Sequence, residues 1–136
     1  MPELDVASGA FCGAALFVTL AGGRLPLSRP GGSSRALALR WVWLGGRAGL
    51  EELVWRGLVL AGLAVAIGAL PALVVSSAGF AVWHRRLLGL PCAVHFLTGV
   101  VFGATFIVVG LVAAMLAHGV YNVLVDWAVH AERGRS

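Results

Sequence analysis

The stretch LEELVWRGLVLAGLAVAIGAL, residues 50–70, decides the fold of this chain. It is apolar apart from Glu51, Glu52 and Arg56, and about 20 residues is the length that a helix needs to cross the hydrocarbon core of a bilayer. An ionisable side chain inside that core is costly, so it persists only when it is paired, solvated or used. The stretch therefore predicts a membrane-spanning helix whose charged residues are paired, solvated or part of a functional site.

The composition of the whole chain agrees with a membrane protein. Of its 136 residues, 60% are hydrophobic and 12% are charged, against about 45–50% and about 25% in an ordinary soluble domain. A soluble core of this size could not hide so many apolar side chains, so we expect one compact membrane domain. Cys12 and Cys92 both lie in apolar surroundings, which argues against a disulfide framework and against a cysteine metal site.

Further apolar runs lie on both sides of residues 50–70. One precedes them at roughly Val6 to Gly22, and another follows at about Ala72 to Trp83. The almost uncharged region from Cys92 to Val129 can hold two helices joined by a turn near Gly110. We therefore predict an all-α fold, a polytopic transmembrane helix bundle of about five spans with the active site in the bundle core.

Turn-forming residues divide the predicted spans. Gly68 with Pro71 breaks the chain after the second span, and Gly89 to Pro91 breaks it after the third. The organisation that follows has three parts: an N-terminal span and Arg-rich loop with an interfacial segment at 1–48, a catalytic helix bundle at 49–130, and a polar C-terminal tail at 131–136.

The arginines indicate how the predicted bundle is oriented. Five of them fall in one stretch without acidic residues, interpreted as a cytoplasmic loop followed by a short amphipathic segment around Trp41 and Trp43: Arg24, Arg29, Arg35, Arg40 and Arg47. With this loop on the cytoplasmic side, each span reverses the direction of the chain. The later basic pairs then also fall on the cytoplasmic side: Arg85 with Arg86, and Arg133 with Arg135. The N-terminus is then outside, and topology explains the net charge of +4 without a nucleic acid partner.

The second span contains a carboxylate that needs a partner. Glu52 and Arg56 are four residues apart on one helical face and can neutralise each other. Glu51 points about 100° away and has no such partner in its own helix, so it needs protonation, water, a metal or a group on another helix. We interpret it as a candidate general base; the alternative is an interfacial salt-bridge cluster of all three residues.

Two later spans carry histidines at helical spacing from other notable residues. Phe80 lies one turn before His84, which could alternatively be an interfacial anchor. In the last span His118, Asn122 and Asp126 form a polar stripe that should face the bundle interior, either as a site or as an interhelical hydrogen-bond ladder. Asp126 is also expected to meet Arg residues at the surface. His95 is interpreted as a packing or hydrogen-bonding residue and His130 as part of a frayed end, so neither enters the site.

The ordered motifs EE-x-x-x-R at residues 51–56, F-x-x-x-H at 80–84 and H-x-x-x-N at 118–122 resemble those of the CPBP family of intramembrane metalloproteases. This family includes CAAX prenyl endopeptidases and bacteriocin-processing, Abi-type proteins, and the resemblance covers roughly Leu50 to Val125. It implies that Glu51 activates the attacking water with help from His84, while His118 and Asn122 stabilise the oxyanion or help to bind a metal. By the same resemblance, the supporting residues are Glu52, Arg56 and Phe80.

The function implied is an intramembrane endopeptidase that hydrolyses a peptide bond in a substrate near the membrane. The orientation inferred from the arginines opens the active site to the cytoplasm, and the short chain, rich in Ala and Gly with Arg but no Lys, favours a prokaryotic cell. If one divalent metal such as zinc is bound, the resemblance makes its ligands His84, His118 and Glu51, but Glu51 could then not readily act as a free base. A metal-free water activated by Glu and His is equally open. The alternatives are a non-catalytic membrane scaffold or bacteriocin-immunity protein with a retained protease fold and, less favoured, a channel or transporter subunit.

Overall fold

The computed structural model describes residues 2–23, 33–88 and 92–133. All regular structure within these residues is helical: α1 (Pro2–Leu20), α2 (Ser34–Glu52), a π-helical segment (Leu53–Leu60), α3 (Ala61–Ile67), α4 (Ala69–Leu88), α5 (Cys92–Val108) and α6 (Leu111–Arg133). Helical backbone continues from α2 through the π-helical segment into α3, so these three form one long rod. The predicted all-α fold is confirmed, with five helices when the long rod is counted once.

The start of the long rod differs from the sequence prediction. We expected a loop, then a short amphipathic segment, and a span beginning near Leu50. The helix instead begins at Ser34, because Ser33 caps it by accepting a hydrogen bond from the backbone N–H of Ala36 at 3.3 Å. The prolines that favour a loop, Pro26 and Pro30, precede this cap and lie outside the described residues.

Two glycines end the helices where turns were predicted. Gly68, with φ of +84°, separates α3 from α4, and Gly110, with φ of +124°, separates α5 from α6. Side chains with a Cβ disfavour this region of backbone conformation, so glycine is the residue suited to both turns. Pro71 lies in the first turn of α4, where its missing N–H leaves no helical bond unmade. The predicted turn at Gly89 to Pro91 lies outside the described residues.

The third predicted span is longer than the sequence indicated. We placed its end near Trp83, whereas α4 continues to Leu88. His84 is therefore held inside a regular helix and not at its frayed end. His130 lies in the last turn of α6, which ends at Arg133.

Small residues bring α1 directly against α6. A Cβ on Gly9 would collide with the backbone of Ala113, and one on Gly13 would collide with the backbone of Ala117. Both alanines are fully buried. Close packing through small residues is the usual way in which helices associate inside a membrane.

The bundle exposes apolar side chains and buries polar ones. Val65, Val108 and Phe11 are 91%, 81% and 76% exposed. The buried polar side chains are Glu52, Arg56, Ser76, Ser77, His84, Thr98, Thr105 and His118. So many exposed apolar side chains around buried ionisable ones are unusual for a soluble protein and agree with helices in lipid.

One described helix, Leu111–Ala131, is long and apolar enough to cross a membrane, with a mean hydropathy of 1.4. Two shorter apolar helices occur at Asp5–Leu20 and Cys92–Val108. The long rod and α4 both include Arg residues, which lower their mean hydropathy. The structure thus contains one clear candidate span, and the arrangement of five spans stays a prediction.

Candidate functional site

A cavity of about 320 Å³ lies between the long rod, α4, α5 and α6. Its wall is unusually rich in ionisable and aromatic residues for an apolar chain. The lining residues are Arg40, Leu44, Arg47, Glu51, Phe80, His84, His95, Thr98, Phe102, His118, Tyr121, Asn122, Val125, Asp126, Val129 and His130. The four residues predicted from the motifs to act directly, Glu51, His84, His118 and Asn122, are all in this wall.

Three of those residues meet at one carboxylate oxygen. Oε2 of Glu51 lies 3.2 Å from Nε2 of His84 and 3.8 Å from Nε2 of His118. The three side chains come from the long rod, α4 and α6, so the fold and not local sequence brings them together. A carboxylate flanked by two imidazoles is an arrangement that can accept and return a proton.

Both imidazoles are oriented by their second ring nitrogen. Nδ1 of His84 donates to the backbone carbonyl of Phe80 at 2.9 Å, and Nδ1 of His118 lies 2.9 Å from Oε1 of Glu52. Because a carbonyl and a carboxylate accept, both Nδ1 atoms carry a proton. Each Nε2 is therefore the atom left to interact with Glu51 and with anything in the cavity.

Beneath this triad lies a charged pair with no solvent exposure. Nε of Arg56 is 3.2 Å from Oε2 of Glu52, and both side chains are 0% exposed. A second arginine nitrogen, Nη2, donates to the backbone carbonyl of Gly99 at 3.1 Å. The predicted pairing of Glu52 with Arg56 is confirmed. The 3.2 Å contact lacks hydrogen-bond geometry, so these two atoms interact mainly through charge.

The prediction that Glu51 has no partner in its own helix was wrong. Nε of Arg47 lies 2.9 Å from Oε1 of Glu51, one turn earlier on the same helix. The error follows from starting the span near Leu50, since Arg47 was assigned to the loop. Glu51 thus contacts Arg47 through Oε1 and the two histidines through Oε2.

Aromatic rings fix the positions of the imidazoles. The Phe80 ring lies 4.0 Å from that of His84 and 5.9 Å from that of His118, and Cζ of Arg56 lies 4.9 Å from the Phe80 ring centroid. Phe102 stacks on His118 with ring centroids 4.7 Å apart. Phe80 thus contacts three members of the site. The sequence analysis missed Phe102, since an apolar residue in an apolar span carries no distinguishing signal.

The cavity mouth is closed on one side by a second ion pair. Arg40 and Asp126 approach to 2.6 Å between Nη2 and Oδ1, which agrees with the expectation that Asp126 meets an arginine at the surface. The hydrogen bond from Arg40 to Asp126 raises the pKa of Arg40 above its usual value. Nδ1 of His130 donates to the backbone carbonyl of Asp126 at 2.8 Å. Arg40 is half exposed, so this pair borders solvent or headgroups.

His95 was left out of the predicted site, yet it lies in the cavity wall. Its ring packs 5.0 Å from that of His84. Its Nε2 is buried and has no hydrogen-bond partner among the described residues. Sequence reasoning missed it because its neighbours in the site belong to another helix, and helical spacing along α5 cannot reveal them.

A metal site is not preformed by these side chains. Within residues 2–23, 33–88 and 92–133, no group of three or more His, Cys, Asp and Glu side chains is arranged to hold a metal ion. The nearest arrangement is the triad of Glu51, His84 and His118. With protons on both Nδ1 atoms, the lone pairs of the Nε2 atoms are the groups that would bind a metal. These ligand types suit a metal, but the direct contact between Glu51 and His84 leaves no space for an ion between them.

Comparison with known protein families supports a family assignment for this chain. A family model described as type II CAAX prenyl endopeptidase Rce1-like matches residues 33–124, which is more than half of the chain. The matched region runs from the cap of α2 into α6 and includes Glu51, His84, His118 and Asn122. No curated protein and no solved structure matches the chain.

Proposed function

Because this chain belongs to the type II CAAX prenyl endopeptidase Rce1-like family, we propose that it is an intramembrane endopeptidase whose general base is Glu51. The family consists of membrane proteases, so at family level the chain is a hydrolase that acts on a peptide or protein. The observation that supports the finer proposal is the approach of Glu51 Oε2 to both histidines, at 3.2 Å and 3.8 Å.

The first step is the activation of water. A water molecule in the cavity beside Glu51 gives a proton to Oε2 as its oxygen attacks the scissile carbonyl carbon. In this proposal His84 carries a proton on both ring nitrogens and donates from Nε2 to the carboxylate from the other side. Because Arg47 hydrogen-bonds Oε1 of Glu51, Oε2 is the oxygen that accepts the proton of the water.

The second step is the collapse of the tetrahedral intermediate. Its oxyanion needs donors, and the side-chain amide of Asn122 and Nε2–H of a protonated His118 supply them in this proposal. Glu52 lies beneath His118 and accepts a hydrogen bond from Nδ1 at 2.9 Å, and the charge of Glu52 is matched by Arg56. The proton held by Glu51 then passes to the leaving amine, and the C–N bond breaks.

A divalent metal such as zinc is a separate proposal. Nε2 of His84, Nε2 of His118 and Glu51 would hold it, and when bound it would polarise the attacking water and the carbonyl. The protonated Nδ1 atoms favour this reading. The direct contact between Glu51 and His84 counts against it, so the steps above use the chain's own groups alone.

The proposed setting is a prokaryotic cell membrane with five spans, the N-terminus outside and the cavity towards the cytoplasm. The apolar exterior supports several spans. The arginines at the cavity mouth, Arg40 and Arg47, support the orientation, since basic residues collect on the cytoplasmic side. The substrate is then a membrane-associated peptide or protein reaching the cavity from that side.

The test is cleavage of membrane-anchored reporter peptides by the purified protein in lipid. Glu51→Gln is expected to abolish cleavage, whereas Glu3→Gln, the same change at an exposed position on α1, is expected to leave it unchanged. Both variants should keep wild-type helix content and thermal unfolding. A folded wild-type protein that cleaves nothing across a broad reporter library would contradict the proposal and favour the scaffold or immunity alternative.

A further inference from the structure

The two arginines of the cavity wall differ in how much of each guanidinium group is occupied. Arg40 contacts both carboxylate oxygens of Asp126, through Nε and Nη2. Arg47 donates from Nε alone, to Oε1 of Glu51 at 2.9 Å. No hydrogen bond of Nη1 or Nη2 of Arg47 is found within the described residues. The two terminal nitrogens of Arg47 are therefore available to a ligand.

Arg47 presents an accessible side chain to the cavity. It lines the cavity and is 46% exposed. On the adjoining face of the same helix, Trp43 and Leu50 are 70% and 68% exposed, and in the proposed setting they face lipid. A charged group is costly there, so the guanidinium is stable on the cavity side. Its Nε contact holds it beside Glu51, whose other oxygen meets His84 at 3.2 Å.

The charges around Arg47 favour an anionic group on the ligand. At the mouth, Arg40 and Asp126 balance each other. Glu51 has one negative charge but meets two positive groups, Arg47 and the doubly protonated His84 of the proposed mechanism. One positive charge beside the site is therefore unmatched. A guanidinium binds a carboxylate through two parallel hydrogen bonds from neighbouring nitrogens, and Nη1 and Nη2 form such a pair.

We infer that Nη1 and Nη2 of Arg47 bind a carboxylate of the substrate close to the scissile bond, making Arg47 a specificity-determining residue. This inference rests on the proposed function, because it assumes that the occupant of the cavity is a peptide. An Asp or Glu side chain and the free end of a peptide chain both present the required pair of oxygens. The experiment therefore includes both sources.

Matched pairs of reporter peptides test the preference for a carboxylate. One series exchanges Glu for Gln at single positions around the cleavage site, and a second exchanges a free C-terminus for an amide. Wild-type protein in lipid should cleave one carboxylate peptide with a kcat/KM about tenfold above that of its amide counterpart, mainly through KM. The series that shows this difference identifies the source of the carboxylate. Equal kcat/KM within every pair overturns the inference.

Substitutions of Arg47 are evaluated by the ratio of kcat/KM within a peptide pair, because Arg47 also holds Glu51. Arg47→Gln is expected to slow cleavage of both peptides and to reduce the ratio to about one. Arg47→Lys keeps the charge and should retain part of the preference. Arg40→Gln is the matched control, since Arg40 is committed to Asp126, and it should keep the wild-type ratio. A preference that survives in Arg47→Gln overturns the inference.

A binding measurement distinguishes this inference from the proposed activity. Fluorescence anisotropy compares the same peptide pairs on proteins with and without Arg47→Gln, both with Asn122→Ala to prevent turnover. Binding of a carboxylate peptide about tenfold tighter than its amide counterpart, lost in Arg47→Gln, supports the inference even if the wild-type protein cleaves nothing. Equal binding within every pair, or no peptide binding, overturns it. Unchanged thermal unfolding of the Arg47→Gln protein is the control for folding.

Discussion

Glu52 and His118, which lie 66 positions apart in the chain, are joined by a 2.9 Å contact between Oε1 and Nδ1. The carboxylate fixes both the orientation and the proton position of the imidazole. It is itself fully buried and its charge is matched by Arg56. Glu52 thus influences the cavity through His118, although Glu52 is not one of the residues that line the cavity.

The contact between Glu52 and His118 predicts a loss of turnover when the carboxylate is removed. Glu52→Gln keeps the shape of the side chain but removes the negative charge that holds the Nδ1 proton. An imidazole with protons on both nitrogens, the form of His118 that donates from Nε2 to the oxyanion, is then less stable. We expect kcat to fall by about a hundredfold or more with little change in KM. Steady-state kinetics on a reporter peptide measures both, and an unchanged kcat would show that the charge of Glu52 is not important to His118.

The buried ion pair predicts that Arg56 is essential for stability. Arg56→Met leaves the carboxylate of Glu52 buried and uncompensated, at a cost of about 3–5 kcal/mol in the free energy of unfolding. The double variant Glu52→Gln/Arg56→Met removes both charges and should regain most of that stability without regaining activity. Chemical unfolding in detergent compares the three proteins, and a double variant as unstable as Arg56→Met would contradict this account.

The ion pair between Arg40 and Asp126 at the cavity mouth should contribute little to stability, in contrast to the buried pair of Glu52 and Arg56. Arg40 is half exposed, so solvent screens its interaction with Asp126. Arg40→Met should change the free energy of unfolding by no more than about 1 kcal/mol. Measured beside Arg56→Met under the same conditions, it serves as the exposed counterpart of the buried arginine; a loss as large as that of Arg56→Met would mean that the mouth is buried in the folded protein.

The contact between α1 and α6 predicts a strict size limit at Gly13. A larger residue would meet the backbone of Ala117, so Gly13→Val should separate the two helices and destabilise the protein by about 1–3 kcal/mol. Gly62→Ala is the matched control, because a Cβ there meets nothing within 4 Å. It is expected to be neutral or stabilising in thermal unfolding, since Ala favours a helix over Gly. Equal effects of the two changes would show that α1 does not pack here.

The proposed activation of water by Glu51 without a metal predicts tolerance of chelators. Cleavage by protein dialysed against a chelator should equal that of untreated protein, because Glu51 and the histidines act on water directly. Direct metal analysis of the purified protein accompanies the assay. Activity lost on dialysis and restored by zinc alone would favour the metal-dependent alternative.

Much of the architecture could be read from local sequence. Gly68 and Gly110 end helices because positive φ suits glycine, and the spacing of Glu52 and Arg56 pairs them whatever the rest of the chain does. The turns and the ion pair depend on few residues at fixed spacing. The meeting of Glu51, His84 and His118 on one carboxylate oxygen joins three helices, and it was implied by the family resemblance and not by local spacing.

Features that depend on contacts between helices were missed. His95 has its neighbour on α4, so its own helix gives no sign of its place in the cavity. Arg47 was missed for a different reason, since Pro26, Pro30 and the Gly-Gly-Ser-Ser run at 31–34 favour a loop, while packing of α2 on α6 favours a helix. Tertiary packing outweighed local propensity there.

The π-helical segment at Leu53–Leu60 has a consequence for the direction in which the carboxylates point. Its wider turn is completed by a bond from the N–H of Ala61 to the carbonyl of Arg56, five residues earlier. A wider turn rotates the chain less per residue than the roughly 100° of an α-helix, so the same residues wound as an ordinary helix would point Glu51 and Glu52 in another direction relative to α3. The backbone form of this segment, and not the sequence motif alone, therefore sets the aim of the carboxylates.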